Sequence, residues 1–363
     1  MLTAQKIVSG LLFSGLAILA AFNSECGEPA KNKPRVVVLA TGGTIAGVGD
    51  STNNYAYSPS KIKVNQMLDS VSKLKDIANV EGEQVLQVAS QNITNKMLIK
   101  LAKSCIKNLK RPEVSGIVIT HGTDTMAETA WFLQLTLNSE KPIVLTGSMR
   151  PATALSADGA NNLYNAVALA GNPKARNQGV MLMLNNTIHP AQDAWKSNTI
   201  CVNTFKSPND SPIGKAFYGA VELRKRKYLR GLFSGALKQK KLPEVKIIYA
   251  HQNMDGKLIK AAVDAKANGI VIAGTGNGNF STVALPTVRN AIKSGVIVMR
   301  SARSASGMVL RNNEINDDKL GTVTSGNLNA QKARIFLMLA LTKYKSPEKI
   351  QKTINDLCGT LHR

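Results

Sequence analysis

Arg35-Val-Val-Val-Leu-Ala-Thr-Gly-Gly-Thr44 decides how this chain is read. An aliphatic, largely β-branched run with no polar alternation, stopped by paired glycines, reads as a strand buried on both faces that ends in a tight turn. The same pattern recurs at Ser115-Gly-Ile-Val-Ile-Thr-His-Gly-Thr-Asp124. Gln84–Ala89, Pro142–Thr146 and Val180–Leu184 are further strand candidates, and the first two end at Ser90-Gln91 and Gly147-Ser148. Helical spacing lies between several of them, most plainly over Asn95–Leu109. There Cys105 falls with Leu98, Ala102 and Leu109 on an apolar face, and Lys96, Lys100, Lys103 and Lys107 line the solvated one. Strands alternating with helices imply parallel βαβ units, whose ligands bind beyond the carboxyl ends of the strands. Those ends gather Thr, Ser, Gln, Asp and Gly, so the site they predict is polar and rich in hydroxyls.

The pattern pauses at Lys215–Lys241, which holds nine bases and only Glu222 as an acid, and reads as a hairpin followed by a linker. It resumes with strands at Val245–Ala250, Gly269–Ala273 and Val296–Met299, a helix near Leu258–Ala267, a carboxy-terminal helix from about Ala330 to Leu341 and then a shorter one. The expected fold is therefore α/β. A larger N-terminal, mainly parallel-sheet domain with flanking helices spans 34–225, a basic linker 226–243, and a smaller C-terminal α/β domain 244–363. Ahead of these, a base at Lys6, the uncharged apolar run Ile7–Phe22 and small residues Ala20 and Ala21 read as a secretory signal peptide over about 1–27. The expected location is periplasmic or secreted.

Of 363 residues, 44% are hydrophobic and 19% charged, which excludes bulk disorder, collagen-like repeats and a multispan membrane protein. The net charge of +23 raises nucleic acid or an anionic surface as a partner. Four cysteines without a CxxC pair or Cys/His cluster exclude a disulfide-dense scaffold and give no metal site; Cys201 sits in an apolar, strand-like stretch.

Neither Gly42–Gly49 nor Gly274–Asn279 matches a dinucleotide fingerprint or a P-loop, and GxSxG and HExxH are absent. Among four histidines, His121 borders Thr123-Asp124 and reads as a general base or as a satisfied neighbour of the loop. A threonine nucleophile remains. Its hydroxyl is weak and needs a base or polarisation, and Thr44 lies among small residues that let a substrate approach the backbone.

Ala40-Thr-Gly-Gly-Thr-Ile-Ala-Gly47, Ser90-Gln91, Ile119-Thr-His-Gly-Thr-Asp-Thr-Met126, Met149-Arg-Pro151, Ser156-Ala-Asp-Gly159, Gly276-Asn-Gly-Asn279 and Leu328-Asn-Ala-Gln-Lys-Ala-Arg334 together resemble the bacterial-type L-asparaginase family, particularly its exported type II branch with the glutaminase-asparaginases. The resemblance runs in order from about 34 to 345. It implies hydrolysis of L-asparagine to L-aspartate and ammonia through an acyl-threonine, with secondary L-glutaminase activity and no metal or organic cofactor. Thr44 matches the nucleophile and Tyr57 the lid tyrosine that assists it. Thr123, Asp124 and Lys196 match a second cluster, in which Lys196 acts as base toward Thr123 or polarises it, and Asp124 binds the substrate ammonium. Ser90 and Gln91 match holders of the α-carboxylate and α-amino groups. Asn279 and Glu314 match residues supplied by a neighbouring subunit of a homotetramer. Asn186, Gln192, Ala127 and Ser58-Pro59 depart from the family pattern without removing a core group.

A glutamine-preferring glutaminase-asparaginase is the enzymatic alternative. A nucleic-acid-associated module is the alternative of a different class, and a degenerate homologue a third. Export and the lack of an aromatic-rich basic motif argue against nucleic acid. The resemblance directs the chemistry to a small zwitterionic amide, so the basic Lys215–Lys241 stretch is read as a contact for an anionic surface.

Overall fold

The computed structural model describes residues 33–49 and 57–359. The leader read over 1–27, and Cys26 after its apolar run, lie outside the described residues.

Eight strands form the larger sheet: β1 (Arg35–Ala40), β2 (Asn79–Gln84), β3 (Val114–Thr120), β4 (Ile143–Thr146), β5 (Val180–Leu184), β6 (Thr187–Pro190), β7 (Gly214–Phe217) and β8 (Ala220–Leu223). Their spatial order is β8-β7-β6-β5-β4-β3-β1-β2. The five from β2 to β5 pair in parallel, and β6, β7 and β8 add an antiparallel edge. The order 2-1-3-4-5 of the parallel part reverses direction between β1 and β3, the switch point where doubly wound sheets leave a crevice for ligands. Both threonine motifs begin at that point.

The uninterrupted apolar runs follow from burial on both faces. In β1, Val37 and Leu39 face a core shared with helices α1 (Asn95–Leu109) and α2 (Met126–Thr136). Val36, Val38 and Ala40 face the opposite core, with α3 (Gly159–Gly171). Helix α2 is buried continuously from Thr129 to Thr136, so it packs on all sides, and it is accordingly rich in apolar residues with no polar face of its own.

The smaller sheet is a four-stranded parallel sheet in the order β9 (Val245–Tyr249), β10 (Gly269–Gly274), β11 (Ile297–Ala302), β12 (Val323–Thr324). One face packs on α4 (Lys257–Asp264) and α5 (Leu285–Lys293). The other joins α6 (Ala330–Ala340) and α7 (Pro347–Cys358), and through α6 it shares the core of α2. From Pro34 onward the chain clusters as one compact unit. Segment 226–243, read as a linker from its charge, buries Phe233, Ala236, Leu237 and Leu242 in the shared core.

Three local readings change. The second strand is Asn79–Gln84 rather than Gln84–Ala89. As an edge strand it is mostly polar, and the apolar residues after it cross over the first glycine turn, with Val85 N donating to Ala40 O and Val88 N to Thr41 O. Cys201 lies on an exposed turn rather than in a strand. The last helix, α7, is no shorter than α6. Cys105 is fully buried, where loss of solvation pushes its thiol well above the ordinary range. Asn186 also acquires a local reason. Asn185 and Asn186 both have positive φ, 47° and 59°, in the two-residue turn joining β5 to β6, a conformation asparagine tolerates. Asn186 Oδ1 accepts from Asn161 Nδ2 and Asn165 Nδ2, so a neutral amide suffices there.

Candidate active site

Strands β1 and β3 bring two loops against each other. Thr41 donates to Thr120 O through both its backbone N, at 3.0 Å, and its hydroxyl, at 2.8 Å. Gly42 and Gly43 follow with φ of 108° and 85°, and the chain enters a short 3-10 helix at Thr44–Ala46. A Cβ on Gly43 would overlap the backbone of Gly122 in the facing loop, so the two turns meet main chain to main chain. Ser60, itself at φ 62°, locks the first turn: Gly43 N donates to Ser60 Oγ at 2.8 Å, and Ser60 N returns a bond to Gly43 O. That amide is thereby committed, so the oxygen-binding role that glycine loops suggest does not fall to Gly43 N. Thr44 itself is buried, with 8% of its surface exposed.

The second loop carries Thr123, 5% exposed, and Asp124, whose side chain is mostly solvent-facing. Lys196 reaches them from a two-residue strand, Trp195–Lys196, paired antiparallel with Phe205–Lys206. Its Nζ donates to Thr123 Oγ1 at 2.9 Å and to Asp124 Oδ1 at 2.6 Å. Ser90 joins from the crossover after β2: it is buried, a Cβ on Gly122 would overlap its side chain, and its carbonyl accepts from Thr125 Oγ1 at 2.9 Å. Gln91 is next to it and exposed. Tyr57 pairs through its backbone with Gly49 in the short bridge beside this turn.

His121 is the satisfied neighbour. It is fully buried; its Nδ1 donates to Gly122 O at 2.6 Å, and its Nε2 therefore accepts from Thr129 Oγ1 at 2.9 Å. Burial pushes its pKa down to about 4, so near neutral pH it is an uncharged brace with its lone pair occupied.

Asn279 and Glu314 form a separate pair on the smaller sheet, where Asn279 Nδ2 donates to Glu314 Oε2. Their loops are tied by Arg300, on β11 and fully buried. Its Nε and Nη2 meet Asp317 Oδ1 and Oδ2 at 2.7 Å each. Nη1 donates to Asn277 O at 2.8 Å and Nη2 to Leu310 O at 3.1 Å. Asp317 also accepts from Thr322 Oγ1 and Asn312 N, and Arg300 helps hold its carboxyl below the ordinary range against the opposing effect of burial. Sequence reasoning singled out neither Ser60 nor Arg300. A lone arginine interrupting the apolar run of β11 is the available signal for a buried ion pair.

A cavity of ≈ 390 Å³ opens beside Asp124 and Lys196, and is lined also by Trp195, Glu128, Asn329 and Lys332. A larger groove of ≈ 970 Å³ lies between Thr94–Ile99 and Lys240–Ile247, away from both threonine loops, and gathers no comparable set of groups. Among the described residues, no group of three or more His, Cys, Asp or Glu side chains could hold a metal ion.

A nucleophile-sized hydroxyl on each side of a switch point, one of them bonded to a lysine, is the equipment of a hydrolase working through side-chain oxygens. The chain belongs to the asparaginase family: residues 35–229 match the family model described as Asparaginase, N-terminal, and 244–354 match Glutaminase/Asparaginase C-terminal domain. It is 44% identical over 326 residues to L-asparaginase 2 of Escherichia coli, covering 89% of this chain and 93% of that protein. It is 45% identical over 338 residues to L-asparaginase 2 of Bacillus subtilis, covering 92% and 89%. It is equally close, 45% over 329 residues and 89% and 91% of the two chains, to a glutaminase-asparaginase of Pseudomonas aeruginosa.

Proposed function

We propose that this enzyme hydrolyses L-asparagine to L-aspartate and ammonia, takes L-glutamine as a secondary substrate, and works through an acyl ester on Thr44. The observation that carries this reading is the main-chain contact between the Thr44 and Thr123 turns, with Lys196 Nζ on Thr123 Oγ1. In the first half-reaction Thr44 Oγ attacks the side-chain amide carbon. Its proton passes to the amide nitrogen, the C–N bond breaks and ammonia leaves. In the second, water adds to the ester and returns a proton to Thr44 Oγ. Thr123, polarised or deprotonated by Lys196, orients that water, and Tyr57 assists Thr44. Asp124 binds the substrate ammonium, and Ser90 and Gln91 hold the α-carboxylate and α-amino groups. Asn279 and Glu314 complete the site of a neighbouring subunit in a homotetramer, which accounts for their being paired with each other rather than with the threonines of their own chain.

Relatives of both names lie at the same identity, so a glutamine-preferring enzyme is the second reading. One methylene separates the substrates, worth about 1–3 kcal/mol of discrimination. Initial rates of ammonia release from both amides test it: asparagine is turned over faster at low concentration, and the reverse order would transfer the assignment to the second reading.

Export to the periplasm or medium is part of the same proposal; one relative, from Haemophilus influenzae, is named a probable periplasmic L-asparaginase. The basic stretch supports an anionic-surface contact through its lysines. Arg224 and Arg226 are bonded to Ser211 and Asp210 and Arg230 to Asn138 and Asn177, whereas Lys215, Lys225 and Lys227 are exposed. Retention on anionic vesicles that does not weaken with salt would count against it.

A further inference from the structure

Lys332 is 2% exposed, although lysine is among the residues least often buried. It sits in the first turn of α6, a helix of the smaller-sheet half, where Asn329 caps its amide. Its side chain crosses to the larger-sheet half and ends on two main-chain carbonyls, Gln192 O at 2.9 Å and Ala194 O at 2.6 Å. The next two residues are Trp195 and Lys196. Behind the second threonine loop, the carbonyl of Lys332 accepts from Trp131 Nε1, on α2, at 3.2 Å. Burial brings its amine down to about 7, with Asp193 opposing the shift. Asp193 is itself occupied by Asn209 and the amide of Asp210. Lys332 and Lys196 both line the cavity beside Asp124.

A lysine this buried is costly, and a leucine or methionine would fill the same space without that cost. What it supplies is N–H groups to the Gln192 and Ala194 carbonyls, at the root of a strand only two residues long. A short strand has little else to fix its register, and Lys196 has to stop within hydrogen-bond reach of Thr123. We propose that Lys332 is a positioning residue for Lys196: from the other half of the chain it clamps the Gln192–Ala194 carbonyls and so sets Lys196 Nζ on Thr123 Oγ1. This rests on the reading of Lys196 as part of the catalytic machinery.

The test uses the full assembled enzyme. Lys332→Met keeps the length and removes the donors. It is expected to lower kcat for asparagine by about tenfold to a hundredfold, as a displacement of about 1 Å at a reacting group does, with KM within about threefold and the fold intact by circular dichroism. Lys332→Ala leaves a space open to the adjoining cavity, and propylammonium is expected to restore kcat in a saturable way. A trimethylated analogue, which lacks N–H donors, does not. Wild-type kcat in a folded Lys332→Met, or equal rescue by the trimethylated ion, would overturn the proposal. Lys196→Met is measured beside them: full activity there would overturn the underlying reading instead, so the two failures are told apart.

Discussion

The two regions proposed to form the active site are built by different means. The threonine region is assembled by main chain. Glycines at positive φ let the turns after β1 and β3 touch, and the side chains that matter project from that contact. The Asn279–Glu314 region is assembled by side chains, with Arg300 and Asp317 at zero exposure tying three loop segments together. A main-chain contact is broken by adding a single carbon, a side-chain hub by removing a charge. The first holds the hydroxyls proposed to react, the second presents a side-chain pair proposed to serve a neighbouring subunit.

The largest difference between the regions is expected in chemistry. Thr44→Ala should lower asparagine turnover by at least about 10³-fold, with a melting temperature only slightly below wild type, since one hydroxyl and one methyl group are lost. Arg300→Met should do the opposite. It leaves Asp317 as an uncompensated buried charge and should cost about 3–5 kcal/mol of stability in denaturant titration. Activity should follow only through the loops that Arg300 ties.

Acid separates the regions next. His121 and His189 have folded pKa values of about 4 against an ordinary 6.5. Between those values the unfolded chain binds protons that the folded chain refuses, so stability falls as pH drops from 6.5 toward 4, by on the order of 3 kcal/mol for each histidine. Asp317 is shifted down from 3.8, so its contribution is present above that value and fades only at lower pH. His121 sits in the second threonine loop and His189 on β6, so over pH 6.5 to 4 the larger-sheet half that holds both should lose stability before the Arg300–Asp317 hub does. His121→Asn, followed by thermal melts across this window, should flatten the loss. The smallest effect is Gly43→Ala. Overlap with Gly122 and a residue forced to positive φ together cost about 1–3 kcal/mol, and activity should fall with stability because the turns can no longer meet.

Much of the larger sheet was legible because burial on both faces writes strands as plain apolar runs: β1, β5 and the helix Asn95–Leu109 fall at the residues their patterns indicate. The hydroxyl loops were legible for the same reason, since glycine and threonine interrupt those runs abruptly. β2 was displaced because an edge strand is allowed polar residues, whereas the crossover after it has to be buried. Ser60 was hidden in a loop whose spacing says nothing of its contact with Gly43. Lys332 was quoted within a motif, yet helical periodicity alone cannot say that a lysine on a buried face ends on carbonyls 140 and 138 residues away. Asn279 and Glu314 were reachable only by resemblance, because the proposed role of each lies in a second copy of the chain.

In the proposed reaction Thr44 carries the acyl group while Thr123 and Lys196 serve the water. The direct measurement is rapid acid quench of the enzyme with L-asparagine, followed by peptide mass spectrometry. An aspartyl ester is expected on the peptide bearing Thr44, accumulating in Lys196→Met and absent in Thr44→Ala. An ester on Thr123, or full aspartate release by Thr44→Ala without any ester, would contradict the account.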